Sequence, residues 1–143
     1  MSEVDDFLSG TMPRLIAAER ALHDGDAGPR LAMWSQHEPV TLFGAWFSNA
    51  GREDVSRTFD VLASGFSDCK AYDVDIIAAG ASGDLAYTVA YEHTTASIQG
   101  VPRTYTLRVT QIYRREGSEW KLVHRHGDEL SQGQEPLRPP TTT

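Results

Sequence analysis

The chain predicts an α+β fold in which N-terminal helices pack across the concave face of a strongly curved antiparallel sheet. Three observations predict it. In the first third, Val4, Phe7, Leu8, Leu15, Ala18 and Leu22 recur at helical spacing. From Leu85 onward, three runs rich in β-branched and aromatic residues (Leu85 to Thr94, Val101 to Tyr113, Trp120 to His126) are separated by the short breaks Gln99-Gly100 and Arg114 to Glu119, the pattern of an antiparallel meander. These strands also carry apolar or aromatic residues on both faces, more than one core requires, so helices cover one face and apolar surface is left on the other.

The elements follow in order. Pro13 either kinks the first helix or starts its second half. His23-Asp24-Gly25-Asp26 ends it, and Asp26 is placed to cap a short helix through Leu31, Met33 and Trp34, because its carboxylate can accept from free backbone amides. Pro39 releases the chain into a first strand, Val40 to Phe43, and Gly44 to Gly51 forms a loop carrying Trp46 and Phe47. Val55, Phe59, Leu62, Ala63 and Phe66 mark a third helix, ended by Gly65 and Ser67-Asp68. Tyr72, Val74 and Ile76 alternate with Asp73 and Asp75 in a half-exposed strand from Ala71 to Ala79, and Gly80 to Asp84 turns it into the meander. Residues 1–130 therefore read as one domain. Residues 131–143 form a polar, proline-rich tail with too little apolar surface to offset the cost of ordering, and it is expected to be mobile.

Composition narrows the function classes. At 143 residues and 40% hydrophobic, the chain can remove about 70% of its unfolded surface from water as a single core. A formal charge of -7 disfavours nucleic acid and anionic membranes, which attract basic patches. No run approaches the ~18 apolar residues of a membrane span, and Met1 to Asp6 is acidic where a secretory signal is basic, so a cytoplasmic location is expected. The single cysteine, Cys69, allows no internal disulfide.

Three segments carry a family resemblance: Gly100-Val101-Pro102-Arg103-Thr104, then Tyr113-Arg114-Arg115-Glu116-Gly117, then Trp120 through Asp128 with its Trp-x-Leu-Val-His-x-His core. They resemble the C-terminal sheet of NTF2-like proteins, above all the SnoaL-like group and the association domain of calcium/calmodulin-dependent kinases. The resemblance implies a cone-shaped pocket between helices and sheet, and a homodimer formed through the opposite sheet face. Its functions range over isomerases, dehydratases, cyclases and assembly modules, so it does not select one. The general-base aspartate that ketosteroid-isomerase-type members carry near strand one has no counterpart between Val40 and Trp46.

Strand register decides which side chains line the pocket, because a slip of one residue moves every side chain to the other face. A two-residue turn at Gln99-Gly100 puts Tyr91 opposite Arg108, Val89 opposite Thr110 and His93 opposite Thr106. A five-residue loop from Arg115 to Glu119 then puts Arg108 opposite His126 and Thr110 opposite His124. A four-residue loop from Glu116 to Glu119 instead brings Val109 and Gln111 beside the histidines. The association-domain resemblance favours the first register, which gathers Tyr87, Tyr91, His93, Arg108, Thr110, His124 and His126 on the pocket face.

Such a patch supports acid/base chemistry. An imidazole ordinarily titrates near neutrality, so His126 is the candidate acid or base; Arg108 offers a fork of donors to a carboxylate or developing oxyanion, and Tyr91 orients. His124, His93, Thr110 and Tyr87 complete the ligand surface, and Trp46 and Trp34 are candidates to roof an apolar ligand. A contrasting reading has the two late histidines satisfied by Thr110 or backbone and Arg108 paired with Asp128 or Glu92. A metal site is not expected, since a third ligand would have to come from a neighbouring strand. The expected activity is thus a cofactor-free isomerase, dehydratase or cyclase acting on a partly apolar, oxygenated small molecule. The alternative is a non-catalytic ligand-binding or dimerisation module.

Overall fold

A computed structural model describes residues 2–130. Nine elements follow one another: helix α1 (Glu3–His23), α2 (Gly28–Ala32), strands β1 (Thr41–Phe43) and β2 (Ser48–Ala50), α3 (Arg52–Gly65), then β3 (Phe66–Ser82), β4 (Leu85–Ile98), β5 (Val101–Glu116) and β6 (Glu119–Glu129). The fold is α+β, as expected, with the helices laid across one face of a curved, open sheet of order β2-β1-β6-β5-β4-β3. That sheet is mixed rather than wholly antiparallel, because β1 runs parallel to β6. The tail expected to be mobile, residues 131–143, lies outside the described residues.

Local chemistry accounts for the helix ends. The Ser2 hydroxyl accepts from the Asp5 amide, Glu3, Asp5 and Asp6 occupy the positive end of α1, and Arg20 and His23 occupy its negative end. Pro13 lies within one continuous helix rather than dividing two. Asp26 accepts from the Gly28 amide, but the residue at the N-cap of α2 is Ala27, with Pro29 in the first turn. The loop expected between Gly44 and Gly51 is a tight turn followed by β2, which pairs with β1.

Turn chemistry then sets the register. Gln99 and Gly100 both take positive φ, 53° and 79°, the geometry of a two-residue hairpin turn, and pair Tyr91 with Arg108, Val89 with Thr110 and His93 with Thr106 as predicted. The β5–β6 connection differs from both expected loops. It is also a two-residue turn, with Gly117 at φ 64° and Glu116 opposite Glu119. A β-bulge between Ile112 and Tyr113 then leaves Val123 as the extra residue. The resulting partners are Arg108 with Asp128, Thr110 with His126 and Ile112 with His124. The bulge restores the parity that the shorter turn removes, so Arg108, Thr110, His124 and His126 do share a face.

That face is the outer one. On β4 the even positions Ala86, Thr88, Ala90, Glu92, Thr94 and Ala96 are all buried, whereas Leu85, Tyr87 and Val89 are exposed. Small side chains on the even face leave room for α1 to approach the sheet, and the large aromatic side chains point away. The core formed on the helix side is built around Phe7, Leu15, Leu22, Trp34, Phe59, Tyr113 and Leu122. No helix among the described residues is long and apolar enough to cross a membrane.

Candidate functional site

Beneath α1, between α3 and the inner face of the sheet, lies a cavity of about 80 Å³. One side is apolar, formed by Leu42, Phe59, Leu62 and Leu107, with Trp46 and Phe47 reaching in from the β1–β2 turn. The other side is polar and carries Glu19 and His23 from α1, Glu92 from β4, Tyr105 from β5 and Arg125 from β6.

His23 and Tyr105 form a hydrogen-bonded pair. His23 Nδ1 lies 2.8 Å from the Glu19 backbone carbonyl, which can only accept, so Nδ1 is assigned the proton. In the neutral ring Nε2 then accepts from the Tyr105 hydroxyl, 2.6 Å away. The ring is held in place by Phe66, stacked on it at 4.4 Å between centroids. Burial, reinforced by the negative charge of Glu19, raises the Tyr105 phenol well above its ordinary range, so the hydroxyl keeps its proton at neutral pH. The carbonyl, imidazole and phenol thus line up as an orienting group, a base and a proton donor.

A buried ion network lies beside this pair. Arg125 grips Glu92 with a two-pronged contact, Nη1 to Oε2 at 2.8 Å and Nη2 to Oε1 at 2.9 Å. Arg30 donates to Glu19 at 2.7 Å, and both arginines donate to the Gln111 side-chain oxygen, at 2.7 and 3.0 Å. Gln111 in turn donates to the Tyr113 hydroxyl. Burial alone would raise the Glu19 carboxyl, but Arg30, Arg125 and His23 outweigh it and hold the group below its usual range. Burial likewise disfavours the Arg125 charge, and Glu92 and Glu19 more than restore it. Two acids and two guanidiniums are thus paired with one another in a region nearly closed to water.

The residues singled out from sequence lie elsewhere, and their expected place under the helices is corrected. Tyr91, Arg108, Thr110 and His126 line a shallow groove on the outer face, together with Asp128. Arg108 and His126 both face Asp128, at 3.8 and 3.4 Å, and their side chains are 44% and 50% exposed. His124 bonds the Thr41 hydroxyl at 2.7 Å and abuts Phe43; burial and the neighbouring His126 lower its pKa. His93 bridges Thr106 and Asp75, and Tyr87 is exposed farther along the same face. Trp46 does line the cavity. Trp34 is core, packed near Phe59, with its indole Nε1 buried and unpartnered among the described residues.

Sequence reasoning missed Glu19, His23, Tyr105, Glu92 and Arg125. A signal existed for the first two. Glu19 is four residues after Leu15 and three before Leu22, so it falls inside the apolar stripe of α1, and His23 is one turn further along the same stripe. For the strand residues, choosing the opposite face would have selected Glu92 and Arg125.

The fold and this enclosed site define a class, an α+β cone whose helices roof a small cavity. The chain belongs to the SnoaL-like domain family, whose pattern matches residues 16–128. Solved structures agree on the fold. An NTF2-like family protein from Streptomyces avermitilis, proposed to be a dehydratase, superposes with a TM-score of 0.71 at 17% identity, covering 89% of this chain and 98% of that one. A ketosteroid isomerase-like protein from Erwinia carotovora atroseptica gives 0.70 at 16% identity over 89% and 98%. A protein from Thiobacillus denitrificans, proposed to be a calcium/calmodulin-dependent protein kinase type II association domain, gives 0.63 at 19% identity over 89% and 92%. No curated protein matches the chain.

Proposed function

We propose that this protein binds a small, partly apolar, oxygenated molecule in the cavity beneath α1 and, without a cofactor, moves a proton on it in an isomerisation, dehydration or cyclisation. The observation that carries the reading is the 2.6 Å contact between His23 Nε2 and the Tyr105 hydroxyl, both lining the cavity, with the ring oriented by the Glu19 carbonyl. Two proton arrangements are open to the pair. In one, Tyr105 donates to a neutral His23. In the other, Nε2 carries a proton and donates to the phenol oxygen, which frees the phenol proton for an oxygen of the ligand. The Glu19 carboxylate, 3.6 Å from Nδ1, stabilises the imidazolium of the second arrangement. From the second arrangement the phenol passes its proton to a ligand oxygen and takes the Nε2 proton in its place; in the return, the phenol oxygen accepts a proton from the adjacent ligand carbon and passes its own to Nε2, so the pair ends each cycle with the protons it began with. Relatives proposed or named as a dehydratase and as ketosteroid isomerase-like support the reaction class.

The test uses exchange chemistry, because any catalyst of enolisation replaces α-hydrogens with deuterium in heavy water. Cyclopentanone is incubated with the protein in D₂O and followed by NMR. Exchange above the buffer rate, lost in Tyr105→Phe and His23→Gln while both variants keep the wild-type circular dichroism, is the expected result. Wild-type exchange at the buffer rate, or undiminished exchange in Tyr105→Phe, contradicts proton transfer by this pair.

A second reading, a dimerisation module, is favoured by the outer face. Ile77, Leu85, Tyr87, Val89 and Ile112 are exposed there side by side, and a contiguous apolar surface of this kind on a sheet marks an interaction site. A homodimer joined through this face accommodates either reading of the cavity, since the cavity opens on the other side. The net charge of -7 supports neither a nucleic-acid nor an anionic-membrane partner.

A further inference from the structure

The Glu92–Arg125 pair does more than hold the sheet together, because it sets the charge that a bound molecule meets. Two acids at the polar side of the cavity, Glu19 and Glu92, are each matched by an arginine, Glu19 by Arg30 behind the wall and Glu92 by Arg125 within it. Arg125 has both terminal nitrogens committed, two bonds to Glu92 and one to Gln111. Arg30 is fully buried behind the wall, bonded to Glu19 and Gln111. An entering carboxylate would meet guanidiniums whose charge is already matched by Glu92 and Glu19, and would lie beside both of those carboxylates. An entering ammonium would find both carboxylates already neutralised. Either ion would lose its hydration with no unmatched counter-charge to receive it. A hydroxyl or carbonyl oxygen loses far less, and the Tyr105–His23 pair can both donate to it and accept from it.

We propose that the Glu92–Arg125 pair closes this cavity to charged ligands, so that its occupant is an uncharged molecule presenting a hydroxyl or carbonyl oxygen to Tyr105 and an apolar body to Leu42, Trp46 and Phe59. The inference rests on the reading of the cavity as a small-molecule site and adds its specificity. Glu92 and Arg125 are specificity-determining residues here.

The experiment measures binding of four matched small probes, isobutanol, isobutyramide, isobutyrate and isobutylamine, by saturation-transfer NMR and thermal shift. Wild-type protein is expected to bind the alcohol and the amide at least tenfold more tightly than the acid or the amine. Glu92→Gln keeps the shape of the side chain but leaves Arg125 uncompensated, so it is expected to reverse the preference towards isobutyrate. Glu92→Gln with Arg125→Gln removes both charges and is expected to restore the wild-type order; it also serves where the single variant fails to fold. Isobutyrate or isobutylamine binding wild type as tightly as isobutanol overturns the proposal while leaving the small-molecule site standing. Failure of all four probes to bind wild type and both variants overturns the site itself, and the specificity with it.

Discussion

Glu19 ties the site together at the scale of single residues, and its ionisation gives a pH signature. Its folded pKa lies below the ordinary 4.5, because two guanidiniums and His23 outweigh the effect of burial. A carboxyl depressed on folding contributes stability that is fully present above the unfolded pKa and is lost as pH falls through the folded one. Between pH 7 and about 5 this contribution is expected to stay constant, and below about 4.5 the melting temperature should drop as the unfolded chain takes up the proton first. Glu19→Gln removes that part of the acid limb. At pH 7 it leaves Arg30 and Arg125 undercompensated, with an expected loss of about 3 kcal/mol in denaturant unfolding. A Glu19→Gln variant as acid-labile as wild type would show that the carboxylate is not ionised in the fold. His124 offers an independent check. Its ring pKa is lowered by burial and by His126, so its proton-NMR titration midpoint should fall below the 6.5 of a free imidazole.

Among the elements, β4 decides which face of the sheet is the inside. Apart from Glu92, its buried even positions carry alanine and threonine, and α1 rests over that side; its odd positions carry Leu85, Tyr87, Val89 and Tyr91. Enlarging the close-packed side should therefore cost much more than enlarging the open one. Ala90→Leu is expected to lose about 2 to 3 kcal/mol through overpacking, whereas Val89→Leu, on the exposed face, should stay within about 0.5 kcal/mol. Equal effects in chemical denaturation would contradict this assignment of faces. The bulge at Val123 is the second decisive feature of an element. It shifts the pairing of β5 and β6 by one residue and so keeps Arg125 turned inward, towards Glu92 and Gln111, while His124 and His126 turn outward.

For the whole molecule, the two faces of the sheet differ in chemistry. The inner face carries the cavity and the ion network; the outer face carries the apolar row from Ile77 to Ile112 and the solvated groove around Arg108 and His126. If the outer row joins two copies, Leu85→Asp combined with Ile112→Asp should convert a dimer to a monomer in analytical ultracentrifugation and leave probe binding in the cavity intact. Wild type sedimenting as a monomer at micromolar concentration would remove the dimer from the account without touching the cavity.

Much of this was legible in the chain itself. Helical spacing from Val4 to Leu22, the Gln99-Gly100 turn and the alternation through β4 and β5 are local properties, set by backbone geometry and side-chain period, and they determined the elements, the meander and which residues share a face. The sequence also assigned the wrong face to the pocket, because the polar residues Arg108, His124 and His126 are conspicuous and the small residues opposite them are not. Which face α1 would cover was decided by tertiary packing, a matter of volume between elements far apart in the chain. The same packing brought His23 to Tyr105 across 82 residues, while the β5–β6 bulge turned Arg125 to Glu92 across 33. Contacts at such separations depend on how helix and sheet meet, which no local pattern encodes.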